Sequence, residues 1–212
     1  MSSDDAQSSA NDPLGERVYQ AVKAYVTSVA RPGQRLDLAF LASRQRASLT
    51  PVRAALHRLT GEGLVEAYLN AGFRVSPVTL GGLQDLYTWN RLLLAEALAA
   101  PLRPESGLAA GFELPLELVV VRDVANLFRE VVHRLGNAEA TRAIEGVNDR
   151  LHRVRMFELS VLGDGVAELR LMARLLSGDE RAGLGEAIKY YHDRRLKVSG
   201  AILNAAAKSG QT

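Results

Sequence analysis

The sequence of 212 residues contains no cysteine. This absence excludes a disulfide framework, a zinc–thiolate site and a cysteine nucleophile. No apolar run reaches about 18 residues, the length that a membrane-spanning helix needs. The first residues, MSSDDAQSSA, have neither the basic start nor the apolar core of a signal peptide. We therefore expect a cytoplasmic protein with no membrane partner, in which residues 1–11 form a disordered arm.

The sequence also lacks the signatures of common enzymes, since it has no GxSxG elbow, no HExxH pair and no Walker loop. Acidic pairs such as Asp179-Glu180 lie at predicted helix starts, where carboxylates stabilise the helix terminus. We predict that the protein is not an enzyme.

The net charge of +2 is small, but basic residues are concentrated in one part of the chain. Between positions 31 and 74, seven arginines outnumber three acids: Arg31, Arg35, Arg44, Arg46, Arg53, Arg58 and Arg74 against Asp37, Glu62 and Glu66. Such an excess in a short module is typical of a phosphate-binding surface. An ordinary solvated surface explains the charge equally well.

Periodicity in this basic part predicts three helices followed by a hairpin. Apolar residues at helical spacing predict helices over 14–30 and 38–45, and a third that Ser48 caps and whose first turn holds Pro51. In the third helix a buried stripe is expected at Val52, Ala55, Leu56 and Leu59. Strands are predicted at 64–69 and 73–77, joined by a turn at 70–72. This order is that of a winged helix-turn-helix over residues 12–77.

The chain after position 78 is predicted to be entirely helical. Helices are expected at roughly 79–101, 116–135, 137–161, 165–177 and 179–207, with a loop over 102–115 that is rich in proline and glycine. The fold class is therefore mainly α: a winged helix-turn-helix followed by an all-α antiparallel bundle over 78–208.

Three blocks of the first part, SLTPVRAALHRL (48–59), EGLV (62–65) and GFRV (72–75), follow Pro32-Gly33 in an order and spacing that resemble the GntR superfamily DNA-binding domain. The resemblance implies that the tip of the third helix enters the major groove of double-stranded operator DNA. Together with the basic residues, it predicts DNA contacts from Arg44, Arg46, Ser48, Thr50, Arg53, Arg58, Asn70, Gly72 and Arg74.

The sequence departs from that family at the tip of the third helix. Leu49 stands where the family usually has an arginine that contacts DNA, and Gln45-Arg46-Ala47 replaces leucine-glycine-valine. We expect an altered operator preference, with Arg46 replacing part of the missing charge. In the alternative interpretation, Leu49 packs against another helix and contacts no base.

The second part resembles the FCD-type ligand domain of the FadR/VanR group, through Arg91, the Asn126-to-Arg129 block with Gly136-Asn137, and Ser177-Gly178-Asp179. The resemblance implies a dimeric bundle that holds a carboxylate effector, often through a metal bound by one acid and three histidines. At the matching positions this chain has Ala125, Arg129, Ala167-Glu168 and His192. Because a guanidinium has no lone pair to donate, we predict that the metal site is lost.

Without the metal, a fixed cation is expected to bind a small organic acid directly. The predicted effector residues are Arg91, Arg129, His133, Glu168, Tyr191 and His192. In the alternative, Arg129 pairs with Glu168 and fills the cavity.

The segment from Asp149 to Arg155 is interpreted as a solvated charged face, and Trp89 as a core or dimer contact.

These observations predict a homodimeric, ligand-responsive transcription regulator, with repression as the expected mode. The alternative is a helical interaction protein whose DNA-binding and ligand sites are vestigial.

Overall fold

The computed structural model describes residues 13–100, 114 and 120–208. The predicted arm 1–11, the tail 209–212 and all of the predicted loop 102–115 except residue 114 lie outside the described residues. The chain divides into two compact units, Met1–Pro77 and Val78–Thr212. In the described ranges, no helix has the length and apolar composition needed to cross a membrane.

The N-terminal unit combines three helices with a small antiparallel sheet. Its elements are α1 (Pro13–Ser28), β1 (Arg35–Leu36), α2 (Leu38–Gln45), α3 (Leu49–Gly61), β2 (Val65–Tyr68) and β3 (Gly72–Val75). Strand β3 lies between β1 and β2, and Leu36 of β1 is opposite Phe73. The sequence did not predict β1, because two residues are too few to show a period-two pattern.

One apolar cluster holds the N-terminal unit together. Helix α3 buries Val52, Ala55, Leu56 and Leu59, which confirms the predicted stripe. The stripe packs with α1, β1 and β3 through Val18, Val22, Val26, Leu36, Phe73 and Val75. Because these residues fix the rotation of α3 about its axis, they also determine which of its side chains face outward.

The turn between α2 and α3 is set by its caps. The Asp37 carboxylate accepts hydrogen bonds from the amides of Ala39 and Phe40, at 2.8 and 3.1 Å, which starts α2. Arg46 ends α2 in the left-handed conformation, with φ 49°. Ser48 occupies the N-cap position of α3, but its side chain makes no capping hydrogen bond, so that part of the prediction is wrong.

The C-terminal unit contains five helices in its described residues. They are α4 (Leu80–Ala99), α5 (Val120–His133), α6 (Ala138–Leu162), α7 (Gly165–Ser177) and α8 (Arg181–Lys208). Helix α8 packs against α4, α6 and α7, and two apolar clusters fill the bundle. The predicted fold class, a winged helix-turn-helix followed by an all-helical domain, is confirmed.

Candidate nucleic-acid interface and bundle interior

The amino end of α3 is an exposed tip. Ser48, Leu49 and Thr50 form this tip, and Arg53 lies one turn further along on the same exposed side. Leu49 is 47% exposed, so the alternative in which it packs against another helix is wrong. The tip therefore presents two hydroxyls, one apolar side chain and one guanidinium outward.

The arginines near this tip are not neutralised by the protein. Within the described part of the chain, the guanidiniums of Arg46 and Arg53 have no carboxylate partner, and both side chains are exposed. Arg44, in the last turn of α2, is also exposed and lies 5.6 Å from the Phe40 ring centroid. The unpaired cations leave a positive potential at the same end of the unit as the α3 tip.

The carboxylates of residues 13–77 are engaged elsewhere. Glu16 binds Arg58, Asp37 caps α2, Glu62 binds Lys23, and Glu66 accepts a hydrogen bond from the Tyr68 hydroxyl. These are the four acidic residues of that range, against nine lysines and arginines. The excess positive charge therefore stays with the arginines around the tip of α3 and on the sheet.

Arg58, which was also predicted to contact DNA, differs from these cations because carboxylates of the protein neutralise it. It pairs with Glu16 at 2.8 Å and with Glu62 at 3.4 Å. Its guanidinium carbon stacks 3.5 Å from the Tyr19 ring centroid. Five residues of helix rotate Arg58 about 140° from Arg53, away from the exposed tip. The structure thus gives Arg58 a role in joining α3 to α1.

We expect Arg58→Ala to lower the stability of the N-terminal unit by about 1 kcal/mol, since it removes partly exposed ion pairs and a cation–π contact. Calorimetry on the full chain measures this change. DNA affinity at low temperature, where the variant is folded, should stay within about twofold of the parent, on the order of a surface substitution. A large loss of affinity with unchanged stability would show that Arg58 contacts DNA.

The β2–β3 hairpin forms the wing. Asn70 and Gly72 adopt left-handed φ values of 61° and 81°, which the tight turn between the strands requires. Leu69 at the tip is 93% exposed. In β3, Arg74 lies between Arg35 of β1 and Glu66 of β2 on the exposed face. The wing therefore carries Arg74 next to Arg35 of β1, together with an apolar tip.

A ring contact connects the wing to α3. His57 lies on the exposed side of α3, and its ring meets the Phe73 ring of β3 edge-on, with centroids 5.0 Å apart. The structure thus brings the two groups of predicted DNA contacts, tip and wing, onto one connected unit.

Two predicted effector residues, Arg129 and His133, do not face the bundle interior. Helix α5 buries Val124, Leu127, Phe128, Val131 and Val132, and this stripe turns Arg129 and His133 outward, where both are exposed. Arg129 donates to Asn126 at 2.6 Å. The alternative in which Arg129 pairs with Glu168 is also wrong, because Glu168 ion-pairs with Arg194 at 2.6 Å and Arg195 at 3.0 Å.

Arg91 lies at the edge of the bundle instead of inside it. Its guanidinium pairs with Asp193 at 2.7 Å, and the side chain is about one-third exposed. It lines an apolar groove of about 410 Å³ between α4 and α8, with Leu92, Ala95, Leu98, Gly185, Ile188 and Lys189. The predicted effector residues therefore do not converge on one cavity.

Tyr191 and His192 lie inside the bundle, as an interior site requires. Burial lowers the pKa of His192 to about 3, so the ring is neutral. Its Nδ1 lies 2.7 Å from the Ile188 carbonyl, to which it donates, and its Nε2 lies 2.8 Å from Asn90 Oδ1, while Asn90 Nδ2 is buried without a partner. Because a neutral ring then offers only a lone pair at Nε2, we assign the Asn90 oxygen and nitrogen the other way round, with the amide nitrogen donating to Nε2.

These contacts do not fit a metal ligand set of the kind that the resemblance implies. Both nitrogens of His192 are used by protein partners, and Glu168 neutralises two arginines. In the described ranges, no three histidine or acidic side chains cluster closely enough to hold a metal ion. Loss of the family metal stays a prediction.

The sequence analysis missed the buried ionic network of the bundle. The Glu158 carboxylate accepts from the Tyr87 hydroxyl at 2.7 Å, the Tyr191 hydroxyl at 3.2 Å and Arg195 Nε at 2.6 Å. Burial raises the pKa of both tyrosines, so their hydroxyls stay protonated donors. Arg155 is also buried, which overturns the interpretation of the Asp149-to-Arg155 segment as a solvated face.

Sequence comparison identifies the N-terminal unit. Residues 14–75 match the model of the gntR family of bacterial regulatory proteins. The chain is also 42% identical over 57 residues to the Nta operon transcriptional regulator of Aminobacter aminovorans. That match covers 27% of this chain and 27% of the relative. The N-terminal unit is thus a GntR-type winged helix-turn-helix.

Two solved structures resemble nearly the whole chain. E. coli McbR/YncC matches with a TM-score of 0.63 and 17% identity, over 89% of this chain and 97% of its own. A putative GntR transcriptional regulator from Rhodococcus sp. RHA1 matches with a TM-score of 0.66 and 18% identity, over 90% and 98%. At such low identity these similarities show a shared fold.

Proposed function

We propose that this protein is a DNA-binding transcription regulator that responds to a small carboxylate metabolite. It acts as a homodimeric repressor in the cytoplasm. The observation that supports DNA binding is the exposed α3 tip, where Ser48, Thr50 and Arg53 project from a GntR-type domain beside unpaired cations. Helix tips of this kind contact base edges and phosphates in the major groove.

The individual contacts follow from side-chain chemistry. Arg53 can hold a phosphate or the acceptor edge of guanine, and the hydroxyls of Ser48 and Thr50 can bind phosphate oxygens. Leu49 has no donor, so its exposed methyl groups suit an apolar contact such as the methyl of thymine. We expect an operator that differs from those of relatives with arginine at this position.

Dimerisation supplies the second α3 tip that a two-fold operator requires. Helix α4 leaves Trp89 and Leu92 about half exposed, one turn apart beside the groove that Arg91 lines. Apolar side chains on one helix face suit burial against a second copy of the chain. A symmetric pair of protected half-sites, about 10 base pairs apart or a multiple of that, is the expected footprint.

Arg53→Ala tests the proposed DNA interface. We expect about a tenfold loss of affinity, the lower range for one arginine contact, for duplexes selected by the parent protein from a random pool. Fluorescence anisotropy at several salt concentrations measures it. A phosphate contact lowers the salt slope by about one unit, whereas a base contact relaxes sequence preference.

The matched control is Arg170→Ala, which removes the same charge from an exposed position on α7. It should bind the selected duplex as the parent does. If Arg53→Ala also binds normally, or if no duplex is selected, the assignment of α3 as the recognition helix is wrong and the chain is an interaction protein.

A further inference from the structure

Helix α6 carries an arginine where its apolar stripe should continue. Its buried residues Ile144, Val147, Leu151 and Val154 follow helical spacing, and Arg155 lies on the same face. Arg155 is only 2% exposed. Arginine is almost never buried to this extent without a partner for its charge.

The described residues give Arg155 no counter-ion. Its Nη1 donates to the Asn148 Oδ1 at 2.8 Å. Its Nε and Nη2 are buried without any hydrogen-bond acceptor. The other buried arginine, Arg195, shows the usual arrangement, because it is matched by Glu158 and Glu168. Burying an unpaired cation carries a large desolvation penalty, and so does each orphaned donor.

The two orphaned donors have a specific geometry. Nε–H and one Nη2–H lie on the same edge of a planar guanidinium and point in parallel. That edge is the fork that holds a carboxylate through two hydrogen bonds. Nη1, which faces Asn148, lies on another edge, so the contact with Asn148 does not use the hydrogen bonds of the fork.

The fork is held in place by the surrounding residues. Asn148 Nδ2 donates to the Ala125 carbonyl of α5 at 3.1 Å, which directs its Oδ1 toward Arg155. The Phe128 ring centroid lies 5.4 Å from the Arg155 guanidinium carbon, and the His192 ring stacks on Phe128 at 5.6 Å. The groups that contact Arg155 are thus an amide and an aromatic ring, which carry no charge, and they favour a ligand that brings its own negative charge.

We propose that Arg155 is the primary anchor of a small carboxylate ligand, bound through Nε and Nη2 inside the C-terminal bundle. The proposal rests on the effector-binding part of the proposed function and transfers the anchoring role from Arg129 and Arg91 to Arg155. It also predicts that the carboxylate-bound protein is more stable than the ligand-free protein, whether or not DNA is present. In the ligand-free protein the unpaired cation of Arg155 is destabilising, and a bound carboxylate neutralises it.

The test uses thermal unfolding of the full chain, followed by the fluorescence of Trp89, the single tryptophan. Sodium acetate, benzoate and phosphate are each compared with sodium chloride at matched ionic strength. We expect acetate or benzoate to raise the midpoint of the parent by about 3 °C, the size that mass action gives for a millimolar ligand. Arg155→Met should abolish this rise and weaken benzoate binding at least tenfold in titration calorimetry, on the order of one charge-assisted contact.

Three controls test whether the carboxylate response depends on the position, the charge and the fork of Arg155. Arg150→Met removes an exposed arginine from the same helix and should keep the carboxylate response. Arg155→Lys keeps the charge without the fork and should bind benzoate with intermediate affinity. In chloride alone, Arg155→Met should unfold at the parent's midpoint or above it, because an unpaired buried charge has been removed.

The proposal is overturned if neither carboxylate shifts the parent, if Arg155→Met keeps the shift, or if only phosphate stabilises. A lower midpoint of Arg155→Met in chloride would also overturn it, since that result shows that the contacts with Asn148 and Phe128 already compensate the buried charge. None of these readouts involves DNA, so failure here leaves the DNA-binding proposal intact, and failure of DNA binding leaves this one intact.

Discussion

Methionine in place of Arg195 is expected to lower the free energy of unfolding of the C-terminal unit by about 3–5 kcal/mol, because it leaves buried carboxylates without their counter-ion. Arg195 is 1% exposed. It donates to Glu158 at 2.6 Å and to the Tyr191 carbonyl at 3.0 Å, and it pairs with Glu168 at 3.0 Å. Its guanidinium carbon also stacks 3.3 Å from the Tyr191 ring centroid.

Glu158 is the carboxylate that this change destabilises most, because it loses its counter-ion. Without Arg195 its buried carboxylate keeps only the hydroxyls of Tyr87 and Tyr191, which are neutral donors. Glu168 still has Arg194. The expected direction is opposite to that for Arg155→Met, although both changes remove a buried arginine and add the same apolar side chain. What differs is whether the protein itself provides a carboxylate.

Urea unfolding followed by Trp89 fluorescence measures the effect, since this residue lies on α4 of the C-terminal unit. The double change Arg195→Met with Glu158→Leu should recover part of the loss, because a buried ion pair replaced by apolar residues is often neutral. Arg170→Met, at an exposed position, is the matched control for the substitution. A loss below about 1 kcal/mol for Arg195→Met would show that the network is not what holds these helices together.

The helices and the recognition tip could be predicted from the sequence because local signals determine them. The stripe from Val52 to Leu59, the turn at Gly72 and the helix boundaries depend on residues close together in the chain. Strand β1 was not predictable in this way, since Arg35 and Leu36 form a strand only by pairing with β3. Its pairing partner lies nearly forty residues away along the sequence.

The bundle interior was predicted poorly for a related reason. Periodicity treats a polar residue in a stripe as a break, so the segment that ends at Arg155 was assigned to a solvated surface and Glu158 was not recognised as buried. Their burial depends on partners from other helices, such as Tyr87 and Arg195 for Glu158. A signal was nonetheless present, because Asn148, Arg155 and Glu158 fall at stripe positions together with Leu151.

The stability of the C-terminal unit is expected to fall below pH 6.5, with His192 as a main cause. Burial holds the pKa of His192 at about 3 in the folded protein. In the unfolded chain it returns to about 6.5. The unfolded state therefore binds more protons between these values, and acid favours unfolding. From pH 6.5 to 4.5 the free energy of unfolding should decrease by about 2.3 kcal/mol, with a slope that rises from about 0.7 to about 1.4 kcal/mol per pH unit.

His192→Gln identifies the source of this slope. Glutamine cannot take up the proton, so in the variant the decrease across the same range should be smaller by about 2.3 kcal/mol. Part of the pH dependence should remain, because burial also lowers the pKa of His152. His133→Gln, at an exposed position, is the matched control for the substitution. Equal slopes for the parent and His192→Gln, measured by urea unfolding at each pH, would mean that His192 is accessible to protons in the folded state.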